Sequence, residues 1–290
     1  MIDRLKRQST LGHVDGDETR SAHSCGIAFM AKASAPGRAK TRLVPPLTFE
    51  QAAALNTAFL QDVAENLMLA DEAARAIKST VTKLSIVGYA AYGPPGATDF
   101  FRRILPAATG LIEAWLPNFG DCLFHTIGEI LSRGHQSAVV LNSDSPTLPT
   151  AFLVETAEAL ARPGDRAVLG PSTDGGYYLL GLKAPHARMF EDITWSTERV
   201  AEQTLARARE TGLAVHVLPT WYDVDDVEAL RRLEAEFSLP SPQGGGEHVN
   251  DALHLPRYAA YTAKLIRQLA RDRELGRTDA RPAAADTLHA

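Results

Sequence analysis

The segment CGIAFMAKASAPGRAKTRL, residues 25–43, joins a strongly apolar run to a basic loop that contains proline and glycine. Residues 25–33 are almost continuously apolar, which is typical of a strand buried on both faces of a parallel sheet. Beyond this loop, short apolar runs alternate with longer segments whose apolar residues recur at helical spacing. The alternation predicts a three-layer α/β/α fold with a mostly parallel, mixed sheet that is covered by helices on both faces.

The helix boundaries are marked by local signals. Thr48 and Gln51 have the spacing of a capping box and predict the start of the first helix. Gly134 is a typical stop signal for a later one. The predicted strands are 25–33, 82–90, 111–117, 137–149 with its acidic turn, 167–172, 175–182 and 214–218. The predicted helices are 48–70, 98–108, 119–134, 150–161, 197–211, 226–237 and about 256–275.

The pattern divides the chain into three parts. Residues 25–238 are predicted to form one α/β domain. Residues 1–24 are polar, lack the apolar centre of a signal peptide, and are interpreted as a flexible leader. Residues 239–290 are interpreted as a Gly/Pro-rich linker, a helix and a tail. The sequence leaves open whether this helix is a lid, an oligomer contact or a packed accessory element.

Composition narrows the functional class. A formal net charge of -5 argues against a general nucleic-acid binder, which would be strongly basic. No apolar run approaches the ~20 residues that would span a bilayer. The two cysteines, Cys25 and Cys122, cannot form a disulfide framework and are expected to be small buried residues. We therefore expect a cytoplasmic protein with small-molecule partners, and homo-oligomerisation is left open.

The basic loop after the first strand is the first candidate site. Gly37 lets the backbone approach a ligand, Lys40 offers a compact charge, and Arg42 offers a planar fork suited to phosphate, with Arg38 as a third cation. Ligands of α/β sheets bind at the carboxyl ends of strands, where this loop begins. The alternative is a solvated basic surface loop. The spacing of a P-loop is absent.

Carboxylates follow two further strands. Asp144 lies where VVLNSD leaves the core, and Asp223 and Asp225 follow the strand near residue 218. Carboxylates at such positions can hold a divalent ion that bridges phosphate oxygens. Asp144 could instead fix a turn, and Asp226 is the natural cap of the next helix.

A third candidate is the turn Asp174-Gly175-Gly176. Asp174 ends an apolar strand, and paired glycines would let a second substrate come close. The same residues are also an ordinary turn signal. Trp195 would give an amphipathic wall for a sugar or a base, although core packing is the commoner role of an isolated tryptophan.

Taken together, the motifs resemble a known bacterial family. KASAPGRAKTRL, LNSDSPTLP, GPSTDGGYYLLGL, ITWST and WYDVDDVEAL occur in the same order as in glycosyltransferases of the radical-SAM/selenodomain-associated type. That family lies in the nucleotide-diphospho-sugar transferase superfamily, which has the Rossmann-like GT-A fold. The resemblance covers about residues 26–237. The basic loop is also similar to that of 2-phospholactate guanylyltransferases.

The resemblance implies a nucleotide whose phosphates are held by Gly37, Arg38, Lys40 and Arg42. It implies Mg²⁺ or Mn²⁺ at Asp144 and Asp225, although the turn reads Asp225-Asp226-Val227 where relatives often have Asp-Thr-Pro. Asp144, Lys40 and Asp174 are then the catalytic candidates, and Gly175, Gly176 and Trp195 face the second substrate. Glycosyl transfer is the leading function. The alternatives are nucleotidyl transfer with release of pyrophosphate, and a non-catalytic nucleotide-binding module.

Overall fold

The computed structural model describes residues 21–77, 82–238 and 257–274. Within them, seven strands form one sheet in the order β3-β2-β1-β4-β6-β5-β7. Strand β6 runs antiparallel to both of its neighbours, and the other neighbouring pairs are parallel. The strands are β1 (Ser21–Lys32), β2 (Thr82–Gly93), β3 (Gly110–Glu113), β4 (Ser137–Leu141), β5 (Arg166–Pro171), β6 (Tyr177–Leu182) and β7 (Ala214–Val217). The predicted mixed, mostly parallel sheet is confirmed.

Helices cover both faces of this sheet. They are α1 (Phe49–Ala76), α2 (Thr98–Ile104), α3 (Phe119–Ser132), α4 (Thr150–Ala161), α5 (Val200–Glu210), α6 (Val227–Ser238) and α7 (Ala260–Glu274). Short 3-10 helices occupy Thr41–Leu43 and Ala187–Phe190. No helix in these ranges combines the length and hydropathy needed to cross a membrane.

The strand β1 shows how the layers are built. Ile27 and Phe29 point into a core shared with α1 and α4, whereas Ala28 points into a second core shared with α3 and α5. This follows from the two-residue alternation of a strand, and it makes β1 apolar on both faces. The three-layer arrangement predicted from the sequence is therefore confirmed.

Several boundaries differ from the predictions: α1 runs to Ala76 rather than residue 70, α2 ends at Ile104 rather than residue 108, and α5 begins at Val200 rather than residue 197. Strand β1 begins at Ser21, so the leader boundary placed after Ser24 is too late; residues 1–20 lie outside the described residues. Strand β3 ends at Glu113, whereas the prediction continued it to Pro117. Ladder pairing ends with the bond from Ala114 N–H to the Tyr92 carbonyl (2.9 Å), and the apolar residues that follow leave the sheet.

The C-terminal helix α7 packs against α1, which makes it an accessory helix of the domain. Asp62 of α1 is fully buried and accepts hydrogen bonds from Tyr261 N–H (3.1 Å), Thr262 N–H (2.8 Å) and the Thr262 hydroxyl (2.6 Å). A carboxylate at a helix N-terminus satisfies its free N–H groups and complements its dipole. Predictions for residues 239–256 and 275–290 fall outside the described residues.

Candidate nucleotide and metal site

Loops that follow β1, β3 and β4, together with the end of β2, surround an open cavity of about 710 Å³ at the carboxyl edge of the sheet. This is the edge at which the sequence placed the ligand, as expected for parallel α/β sheets. The basic loop lies on one side, an apolar wall lies on another, and carboxylates line the base. The lining residues used below are Arg38, Lys40, Arg42, Trp115, Phe119, Asp144, Tyr177 and Asp225.

The structure brings the two predicted metal ligands together. Val224 N–H donates to the carbonyl of Asp144 (2.9 Å), and the Ser145 hydroxyl donates to the carbonyl of Tyr222 (2.8 Å). These bonds join the turn after β4 to the segment ahead of α6. Asp225 follows Val224 directly and is thereby held beside Asp144. The neighbouring Asp226 accepts from Ala229 N–H (2.8 Å), which confirms its predicted role as a helix cap.

Lys40 lies between these two carboxylates. Its ammonium is 2.7 Å from Asp144 Oδ1 and 2.7 Å from Asp225 Oδ1, and it donates to the carbonyl of Val224 at 2.9 Å. The Lys40 side chain is 6% exposed, against 30% for Asp144 and 48% for Asp225. Burial lowers the pKa of Lys40, but the two carboxylates outweigh burial and raise this pKa above its usual value. Lys40 is therefore a charged, fully paired group.

The backbone also marks Lys40 as unusual. Its φ of 51° and ψ of 39° lie in the left-handed region, which side-chain-bearing residues seldom occupy. The 3-10 helix that follows is anchored by Leu43, which is completely buried. Strained residues of this kind persist where surrounding contacts hold them, and they cluster at functional sites. Lys40 fits this description, because its loop is anchored by Leu43 and its side chain lies at the cavity.

Arg38 and Arg42 differ from Lys40. Both side chains are exposed and line the cavity, and neither has an ion-pair partner among the residues described. Gly37 adopts a φ of 72°, which permits the tight turn that presents them, but it does not itself line the cavity. Two unpaired guanidinium groups at a cavity rim are suited to bidentate phosphate contacts.

Two further carboxylates lie near this pair. Burial, followed by the charges of Asp174, Asp225 and Asp144, raises the pKa of Asp223 to about 6. Asp174 itself accepts a hydrogen bond from Gly176 N–H at 2.9 Å, which closes the turn ahead of β6. The four aspartates thus share one region of negative charge whose cationic partner, within the described structure, is Lys40.

The apolar wall is a feature that the sequence analysis missed. Trp115 and Phe119 are each 51% exposed and line the cavity. Trp115 lies over Gly93, where an added Cβ would come within 1.9 Å of the indole ring. The available signal was the apolar run AWLPNF, which continues past the end of β3 at the edge where ligands bind.

The residues predicted to face a second substrate have structural contacts. A Cβ on Gly175 would meet the Glu198 carbonyl oxygen at 2.1 Å, and Gly175 has a φ of 88°. Trp195 is partly buried, lies against Gly120 and contacts Phe119 edge-to-face at 5.5 Å. None of Gly175, Gly176 and Trp195 lines the cavity, although Tyr177, which follows the turn, does.

The carboxylates are suitable ligands for a divalent ion, but there are fewer of them than a complete metal site needs. In the described ranges, no three His, Cys, Asp or Glu side chains converge with the spacing of a complete metal site. Two carboxylates, Asp144 and Asp225, do converge on one point. Mg²⁺ is commonly bound by one or two carboxylates with the rest of its shell supplied by phosphates and water. The residues therefore fit an ion that arrives with a phosphate ligand.

Comparison with known proteins identifies a family model that matches part of the chain. A family model described as "Uncharacterized protein conserved in bacteria (DUF2064)" matches residues 76–197, which include Asp144 and Asp174 but neither the basic loop nor Asp225. No curated protein sequence matches the chain significantly.

Among solved structures, the chain is similar to a protein from Desulfovibrio desulfuricans G20 whose proposed assignment is nucleotide-diphospho-sugar transferase. The two are 25% identical, with a TM-score of 0.63, over 84% of this chain and 97% of that one. A cytidylyltransferase from Leptospira borgpetersenii is more distant, at 11% identity and a TM-score of 0.46 over 91% and 100% of the two chains. The fold is thus the Rossmann-like one that this chain shares with the Desulfovibrio desulfuricans protein.

Proposed function

We propose that this protein is a divalent-metal-dependent transferase whose substrate is activated by a nucleotide, with glycosyl transfer from a nucleotide-diphospho-sugar as the leading reaction. The observation that carries the proposal is the meeting of Asp144 and Asp225 beside a cavity rimmed by the unpaired Arg38 and Arg42. The similarity to the Desulfovibrio desulfuricans protein and the motif order of the radical-SAM/selenodomain-associated glycosyltransferases support the same class.

Each part of the cavity suits one part of such a substrate. Arg38 and Arg42 would contact the phosphates, because no carboxylate of the described residues pairs with their guanidinium groups. Trp115 and Phe119 would hold the base, since exposed aromatic faces stack on any nucleobase. Asp144 and Asp225 would hold Mg²⁺ or Mn²⁺, which when bound neutralises charge on the phosphate oxygens.

The departing nucleoside diphosphate develops negative charge as the glycosyl group leaves. Fixed cations that face this charge stabilise the transition state more than the ground state. Asp174 is proposed to act on the acceptor, because one of its oxygens holds the turn and the other has no hydrogen bond within the described structure. Tyr177, which follows this turn, lines the cavity, and the Trp195 ring contacts the Phe119 ring.

Nucleotidyl transfer is the second candidate, and the basic rim favours it. Two unpaired arginines and a nearby lysine within residues 38–42 would suit the greater charge of a triphosphate. A non-catalytic nucleotide-binding module would retain the arginines but would have little use for the paired aspartates.

The test is to follow products with each ribonucleoside triphosphate and a panel of nucleotide sugars, with and without Mg²⁺ or Mn²⁺. Release of a nucleoside diphosphate from one sugar nucleotide supports glycosyl transfer, and release of pyrophosphate supports nucleotidyl transfer. Asp144→Asn is the control, since it removes the charge and keeps the shape. If the protein bound a nucleotide with metal but formed no product with a broad set of acceptors, the result would support a non-catalytic binding module.

A further inference from the structure

The ammonium group of Lys40 has no capacity left for a ligand. An ammonium carries three donors and no acceptor. Its three close oxygens are Asp144 Oδ1 at 2.7 Å, Asp225 Oδ1 at 2.7 Å and the Val224 carbonyl at 2.9 Å. Lys40 therefore cannot contact a phosphate while these bonds last, in contrast to the two arginines of the same loop.

The position of this ammonium is the position that a shared metal ion would need. Divalent ions lie about 2.0–2.6 Å from carboxylate oxygens. An ion bound to Asp144 Oδ1 and Asp225 Oδ1 together would lie against the Lys40 nitrogen, because that nitrogen is 2.7 Å from both oxygens. Two cations in contact repel strongly in a partly buried site, so the two occupancies exclude each other.

We propose that Lys40 is a built-in counter-ion that occupies the metal position in the metal-free protein and gives way when the metal binds. The proposal rests on the metal site proposed above. When no metal is present, the ammonium keeps Asp144 and Asp225 together. Without a cation between them, the two carboxylates would repel each other. Once displaced, the ammonium is free to join Arg38 and Arg42 in contacting phosphate, the role predicted by its place in the basic loop.

The chemistry of the side chain suits this exchange. The flexible four-carbon stem of lysine lets the ammonium change position without a change in the backbone. Two protein carboxylates alone bind a metal ion weakly, and a phosphate that also binds the ion makes its binding stronger. Displacement of Lys40 would thus be favoured when metal and nucleotide arrive together, which couples metal binding to substrate binding.

Binding of Mn²⁺ alone, without nucleotide, tests the exchange. Free Mn²⁺ is counted by electron paramagnetic resonance in titrations of the wild type, Lys40→Met and Arg42→Met. Lys40→Met should bind Mn²⁺ about tenfold more tightly than the wild type, equivalent to about 1.4 kcal/mol. Arg42→Met removes a charge from the same loop without touching the carboxylates. Its affinity should rise less than about threefold, because exposed charges are screened.

The proposal would be overturned if Lys40→Met bound Mn²⁺ as tightly as the wild type or more weakly. It would also be overturned if neither the wild type nor Lys40→Met bound Mn²⁺. Neither outcome decides the transferase reaction, which the product assay tests independently.

The wild type provides a second readout in case the variant does not fold. Reductive methylation of Lys40, followed by mass spectrometry of its peptide, should accelerate when Mn²⁺ is added, while that of Lys32 should not. An unchanged rate at Lys40 would count against displacement.

Discussion

Replacing Gly175 by alanine separates a structural role for this residue from a substrate-facing one. The new Cβ would lie 2.1 Å from the Glu198 carbonyl oxygen and 2.6 Å from its Cα, so the backbone must move. The left-handed φ of 88° costs a non-glycine residue about 1–2 kcal/mol, and overpacking adds about 1–3 kcal/mol. Loss of the bond from Ala201 N–H to the Gly175 carbonyl (3.0 Å) adds about 1 kcal/mol. We expect a destabilisation of about 3–6 kcal/mol.

Urea unfolding followed by far-ultraviolet circular dichroism measures this change. Gly212→Ala is the matched control, because Gly212 has a φ of 68° with nothing within 4 Å of its added Cβ. It should cost only the conformational part, about 1–2 kcal/mol. If Gly175→Ala were no more destabilising than Gly212→Ala and yet abolished turnover, the packing explanation would be refuted and contact with substrate supported.

Three further changes test other parts of the structure. Asp144→Asn should lower the turnover number by about 100-fold or more, because it weakens a metal ligand, and should also lower the melting temperature, because it removes one of the two carboxylates paired with the buried Lys40; full activity would remove the metal proposal. Gly93→Ala should push the Trp115 ring aside and weaken nucleotide binding about tenfold in calorimetry, within the range of base stacking; unchanged affinity would place the base elsewhere. Asp62→Ala should cost about 2–4 kcal/mol and speed amide hydrogen exchange in α7, since it leaves buried donors unpaired; exchange that matches the wild type in α7 would show that Asp62 does not hold the helix.

Local sequence signals predicted the elements well, because the physics that forms them is itself local. Helix α4 occupies residues 150–161 as predicted, and the capping box of Thr48 and Gln51 is present. The apolar run at β3 was extended too far, since continuous apolarity is also produced by residues that leave a sheet to line a cavity. Trp115 is such a residue.

The site was harder to predict because it depends on contacts between distant segments. Strand-exit carboxylates indicated Asp144 and Asp225, but their meeting depends on the hydrogen bonds that join the turn after β4 to the segment ahead of α6. The pairing of Lys40 with both follows from that meeting and has no signature in the loop sequence. The role of Asp62 was also hidden, because helical periodicity does not reveal that a buried carboxylate faces the start of another helix.

The sequence also did not indicate that Trp115, rather than Trp195, lines the cavity. Trp195 lies between predicted elements, whereas Trp115 lies in the predicted strand 111–117. What decides is which glycine lies under each ring: Gly93 supports Trp115 at the cavity, and Gly120 receives Trp195 against α3. Such packing of a ring on a glycine surface cannot be read from either segment alone.

A thermal-shift titration tests the central claim most directly, with nucleoside triphosphates, diphosphates and nucleotide sugars, each with and without Mg²⁺ or Mn²⁺. A ligand at about 100 times its dissociation constant stabilises the folded state by about 2.7 kcal/mol, or roughly 5–10 °C for a domain of this size. The account predicts such a shift for one nucleotide or nucleotide sugar, dependent on metal in the wild type and lost in Asp144→Asn. A shift that is indifferent to metal and to Asp144, or no shift with any ligand, would contradict it.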